Sequence, residues 1–201
     1  IASENAGAVL RAIDLTDDVV GGTLRLQGTF LDDERDNPLV GELTIKDFHV
    51  VNAPPLAKLL TIATLTGALE LLGGQGLPFD RMHAPFRYQN KKLLLNKARA
   101  NGLSLGLTID GEINLDNHTI DLSGTIIPAY VLNSIVGHLP VIGDILTGGD
   151  GEGVFAATYR AQGPLKDAAI TVNPLTALAP GILRDLFKLF EPLQATPDKA
   201  S

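Results

Sequence analysis

Residues 103–126 read LSLGLTIDGEINLDNHTIDLSGTI, and the period of two in this stretch decides the fold class. From 103 to 116 every odd position is apolar or glycine: Leu103, Leu105, Leu107, Ile109, Gly111, Ile113 and Leu115. The even positions, Ser104 and Thr108 among them, are polar or glycine and are expected to face solvent. Successive strand residues point to opposite faces, so this is a strand with one dry side. Ile120, Leu122, Gly124 and Ile126 repeat the pattern on even positions. Reading Asn117-His118 as a two-residue turn places Leu115 opposite Ile120, Ile113 opposite Leu122, Gly111 opposite Gly124 and Ile109 opposite Ile126. Register and hydrophobic pattern then agree. Fourteen strand residues would span roughly 45 Å, a length that belongs to an extended sheet.

Working outward, Leu24, Leu26, Gly28 and Phe30 alternate with Thr23, Arg25, Gln27 and Thr29. The acidic segment DDERDNP is a loop, and 39–51 returns as a strand. Its apolar parity changes between Ile45 and Phe48, which predicts a bulge near Lys46-Asp47. Strands over 79–88 and 91–100 form a hairpin through Gln89-Asn90, and 153–162 and 168–173 supply two more. Without a βαβ rhythm the sheet should be antiparallel, with about seven or eight strands.

Helical spacing appears first over 5–13. The segment 54–72 is apolar around nearly its whole circumference, with Leu56, Leu59, Leu60, Ile62, Leu65, Leu69, Leu71 and Leu72. A helix of that kind belongs inside something. Between Lys58 and Glu70 it is about 17 Å long, too short for a hydrocarbon core of roughly 30 Å, so it is expected to lie in the concavity of the sheet. Two more short helices are expected at 129–136 and 141–146, separated by Pro140, with Val141, Ile142 and Ile145 apolar. A last one follows Pro180 with Ile182, Leu183, Leu186, Phe187 and Phe190 on one face. The fold class is therefore α+β. Residues 1–191 form one module, and 192–201 form a disordered tail.

The 201 residues are 45% hydrophobic and 19% charged, which excludes disorder as a description of the whole. A net charge of −7, with 16 basic residues spread singly, offers no stripe for a phosphate backbone, so nucleic acid is not an expected partner. Cysteine is absent, which is neutral as to compartment. Neither a signal peptide nor an 18-residue apolar run is present, and an isoleucine at position 1 reads as an excised or processed segment.

No set of residues presents a base, a nucleophile and an orienting group together. Gly102, Ser104 and Gly106 match G-x-S-x-G, but the nucleophile elbow needs a strand-to-helix turn and the alternation continues through Ser104. Gly148 to Gly153, GGDGEG, lacks the following helix of a phosphate loop and the copies of a calcium repeat, and reads as a turn. His49, His83, His118 and His138 have no ligand spacing, so no metal site is expected. Asp14, Asp17 and Asp18 are explained by capping and solvation. Catalytic, cofactor and metal residues are expected to be absent.

The carboxy-terminal third carries a resemblance. The spacing of Pro128, Tyr130, Asn133, Gly137, Pro140, Gly143, Gly148, Gly149, Gly151, Gly153, Gly163, Asn173, Pro174, Pro180 and Gly181 resembles the carboxy-terminal end of AsmA-like bacterial envelope proteins. It covers 125–186 most strongly. The resemblance implies an elongated, strongly curved, groove-like sheet, with helices covering or filling its concave face. It implies a periplasmic segment of an inner-membrane-anchored protein in a Gram-negative bacterium. The implied function is phospholipid binding and transfer to the outer membrane, in support of envelope integrity. Phospholipid acyl chains would lie on Leu24, Leu26, Leu43, Leu105, Leu107, Ile109, Ile113, Leu122 and Ile126. Leu56, Leu60, Leu65, Leu69, Val141, Ile142, Ile145, Leu183 and Phe187 would belong to plugging or membrane-proximal helices. The alternative is a scaffold or docking module that assists assembly of an outer-membrane protein partner.

Overall fold

The computed structural model describes residues 1–32, 36–62, 66–128 and 156–175. The alternating segments pair in chain order into one antiparallel sheet of nine strands. They are β1 (Ala2–Ser3), β2 (Val19–Phe30), β3 (Leu39–Val50), β4 (Leu77–Gln89), β5 (Lys92–Gly102), β6 (Leu105–Asn114), β7 (Thr119–Pro128), β8 (Ala156–Pro164) and β9 (Ala169–Leu175). Helix α1 (Ala6–Ala12) lies between β1 and β2, and α2 (Pro54–Ile62) and α3 (Thr66–Gly73) lie between β3 and β4. The fold is thus mostly β with a few short helices, and the sheet is open.

Helix α1 begins where the Asn5 side chain accepts the Ala8 N–H at 2.9 Å, a standard N-cap. Its inward side is Ala6, Gly7 and Leu10. A side chain on Gly7 would stand 2.3 Å from the Val19 carbonyl oxygen, so the helix seats directly on the β2 backbone.

One sheet face holds the core, in two neighbouring clusters. At one end Leu24, Ile45, Leu77, Leu105 and Ile126 pack with Leu10 of α1, Leu59 and Leu60 of α2 and Leu72 of α3. Phe48 and Phe79 stack there at 5.3 Å between ring centroids. At the hairpin end Ala84, Phe86, Leu95, Ile113, Ile120 and Ala161 gather with residues of strands and turns alone, among the described residues. Leu15, Leu26, Leu43, Met82 and Ile170 touch both clusters.

The β6–β7 register differs from the expected one by two residues. Ile113 faces Ile120, Gly111 faces Leu122 and Leu107 faces Ile126. The turn is 115–118, four residues in length, because the Asn114 side chain accepts the N–H groups of Asp116 and Asn117 at 3.0 and 3.3 Å. His118 closes it at φ 52°. A slip of two keeps every side chain on its face. Strand β6 is also shorter than the expected 103–116, since Leu103 and Ser104 form the bend after β5.

The parity change in β3 falls where expected but is not a bulge. Pairing stays in one register on both sides, from Lys46↔Arg81 to Phe48↔Phe79 and from Thr23↔Lys46 to Gly21↔Phe48. Asp47 at φ 54° turns the chain, and Gly21 and Gly22 beside it, at 69° and 77°, turn with it. A bulge does occur in β5, where the pairing passes from Leu95↔Gly111 to Ala98↔Ile109. Lys97, at φ 53°, donates its N–H to the Asp110 carboxylate at 2.6 Å. The inward residues therefore switch from Leu93 and Leu95 to Ala98 and Ala100.

The expected helices at 129–136, at 141–146 and after Pro180 lie outside the described residues, as do Leu65, Val141, Ile142, Ile145, Leu183, Phe187, the Gly148–Gly153 turn and the 192–201 tail.

Candidate functional site

The pairing puts all nine expected lining residues on the core face. Leu24, Leu26 and Leu43 come from β2 and β3, while Leu105, Leu107, Ile109, Ile113, Leu122 and Ile126 come from β6 and β7. They divide by burial. Leu105 and Ile126 are 1% exposed and Leu24 4%, in contact with the helix cluster. Leu107 and Ile113 are also buried. Leu26, Leu43, Ile109 and Leu122 are half-buried, and each belongs to the hairpin-end cluster. Leu60 of α2 is fully buried in the helix cluster, against which Leu56 and Leu69 also pack. The helices thus cover one half of the face.

Thr108 is not on a solvent face. It is buried, as are Thr125 and Ile127 on the same side of the β6–β7 pair. Its hydroxyl accepts the Thr125 N–H at 2.9 Å, and its carbonyl accepts the Tyr159 hydroxyl at 2.9 Å. Burial pushes the Tyr159 phenol well above the ordinary tyrosine range, so it stays a neutral donor. Sequence reasoning missed this polar node, because period two treats every threonine as an outward residue.

Ion pairs link neighbouring elements at the surface. Lys91 meets Asp116 at 2.5 Å, and Arg160 grips Asp121 with two nitrogens at 3.1 and 3.0 Å. Lys58 on α2 bonds to Asp167, after β8, at 2.7 Å. Each cationic partner holds its carboxyl below the usual range. Asp18 is different: burial first, and the neighbouring Asp17 second, raise its carboxyl. The segment between α1 and β2 reaches the far turns, with Asp17 3.7 Å from Lys166 and Asp14 3.9 Å from His118.

Ser104 sits in a bend with strands on both sides, not in the strand-to-helix turn that a nucleophile elbow requires. Among the described residues no three His, Cys, Asp or Glu side chains converge as a metal would need, and no helix is long and apolar enough to cross a membrane. No family model, curated protein or solved structure matches the chain.

Proposed function

We propose that this chain is a non-catalytic phospholipid-binding module of an AsmA-like envelope protein, a periplasmic segment that contributes to phospholipid transfer toward the outer membrane. The observation that carries the reading is the single apolar face shared by Leu24, Leu26, Leu43, Leu105, Leu107, Ile109, Ile113, Leu122 and Ile126. Acyl chains need a dry, continuous surface of this kind. Contacts across the sheet support a curved groove: a flat sheet would hold β2 and β8 roughly 29 Å apart, yet Asp17, just before β2, pairs with Lys166, just after β8. The acyl site is the half that no described helix covers, around Leu26, Leu43, Ile109 and Leu122. The chain needs no cofactor or metal, and its acidity disfavours nucleic acid.

The second reading, a scaffold that docks on an outer-membrane partner, draws support from the other half. There Leu24, Leu105 and Ile126 are sealed by α1, α2 and α3 into an ordinary core. Organic extraction of the purified chain followed by mass spectrometry separates the two. The acyl-binding reading expects co-purifying phospholipid that Ile109→Asp removes and Thr23→Asp retains, Thr23 being exposed opposite Lys46. Folded protein without lipid would favour the scaffold.

A further inference from the structure

The outer face of β2 to β5 bears a block of basic side chains in a chain that is acidic overall. The register aligns Thr23, Lys46, Arg81 and Asn101 in one row, and Arg25, Thr44, His83 and Arg99 in the next. Lys46 thus stands directly opposite Arg81. Like charges in direct cross-strand register repel. Arg25, Lys46 and Arg81 are exposed, and none of the three forms an ion pair among the described residues. Asp47 and Asp80 adjoin Lys46 and Arg81 in sequence without pairing to them, and Glu42 lies one row farther along. The repulsion is therefore not relieved by the nearest acids.

Beyond the Lys46–Arg81 row come Val20, His49 and Pro78, aligned with one another on the same outer face. Val20 is 48% exposed, and Leu103, in the bend next to Gly102, is 73% exposed. Cations set back from an apolar border match a bilayer interface, where apolar groups enter beneath the phosphates and basic groups remain level with them. An acidic polypeptide would use the cations without needing Val20 and Leu103.

We propose that the outer face of β2–β5 docks on the anionic surface of a lipid bilayer through Arg25, Lys46 and Arg81, with Val20 and Leu103 entering the apolar boundary. The acidic remainder of the chain is repelled by the same surface, which fixes one orientation. This goes beyond the groove reading and holds equally for a scaffold.

The test is co-sedimentation of the 201-residue chain with phosphatidylcholine vesicles containing about one-third phosphatidylglycerol, compared with phosphatidylcholine alone. Binding should require the anionic lipid, weaken with added salt and fall about fivefold for each of Arg25→Gln, Lys46→Gln and Arg81→Gln. The variant Lys91→Gln/Lys92→Gln/Lys166→Gln removes the same charge at the turns and should bind as the unaltered chain does. Val20→Ser/Leu103→Ser should weaken vesicle binding and leave binding to soluble polyglutamate unchanged. Circular dichroism confirms that each variant is folded. The proposal is overturned if Arg25→Gln/Lys46→Gln/Arg81→Gln binds as well as Lys91→Gln/Lys92→Gln/Lys166→Gln or if neutral vesicles bind equally well. It is also overturned if Val20→Ser/Leu103→Ser binds vesicles as tightly as the unaltered chain, which would assign the face to an acidic polypeptide. Lipid extraction from the groove does not enter this readout, so the two readings fail separately.

Discussion

The phenol of Tyr159 on β8 donates to the carbonyl oxygen of Thr108 on β6 at 2.9 Å, reaching over Gly124 on the strand between them. The absent side chain at 124 makes this geometry possible: a Cβ there would lie 1.8 Å from the Thr108 oxygen and 2.9 Å from the phenol oxygen. Tyr159→Phe leaves a buried carbonyl without this donor and should cost about 1–3 kcal/mol in denaturant unfolding. Gly124→Ala should cost more, since the obstruction is backbone and cannot rotate away. Equal losses would mean that the close approach relaxes cheaply.

The observed turn makes a crosslinking prediction. Cysteines at 113 and 120, which are cross-strand partners, should form a disulfide readily, whereas cysteines at 115 and 120 should not, because bridging needs Cα atoms within about 7 Å and converging side chains. Non-reducing electrophoresis after mild oxidation distinguishes the pairs.

The half of the face covered by α1, α2 and α3 and the half that no described helix covers should respond differently to truncation. Leu60→Ala removes a fully buried side chain and should cost about 2–5 kcal/mol. Leu122→Ala, on the half-buried side, should cost clearly less, because less apolar surface returns to water. Similar losses in chemical unfolding would argue that both halves are sealed cores.

Acid sensitivity follows from the signs of the carboxyl shifts. Asp116, Asp121 and Asp167 have folded values depressed by Lys91, Arg160 and Lys58. Their contribution is present above the ordinary carboxylate range and is lost as pH falls through the depressed folded values. Asp167→Asn should therefore lower the denaturation midpoint at neutral pH, and the difference should vanish in acid. Asp18 has the opposite sign: its raised value opposes folding when the group is charged. Asp18→Asn should raise the neutral midpoint, and that gain should disappear once pH drops below the ordinary aspartate value.

Alternation made the faces legible in detail. Each of the nine expected lining residues lies on the core side, because a period of two leaves no other choice once one residue is placed. Alternation says nothing about distance along a partner strand, which is why the β6–β7 register could slip by two. That slip was decided by the Asn114 side chain, a local competition for N–H groups that hydrophobicity does not record. The β5 bulge did leave a trace, the shift from Leu93 and Leu95 to Ala98 and Ala100, but alanine marks a face weakly. Burial of Thr108 was not legible, since a threonine pattern is the same whether its hydroxyl meets water or the Thr125 N–H.

The sheet order from β1 to β9 repeats the order of the chain, with no strand inserted between two others. Duplicating one hairpin, such as β6 with β7, would add two strands while preserving the direction of every strand after it, and no segment would need re-threading. Length is then a parameter that a lineage can change by copying a short stretch of gene. The apolar face would lengthen with the sheet while the existing strands keep their order.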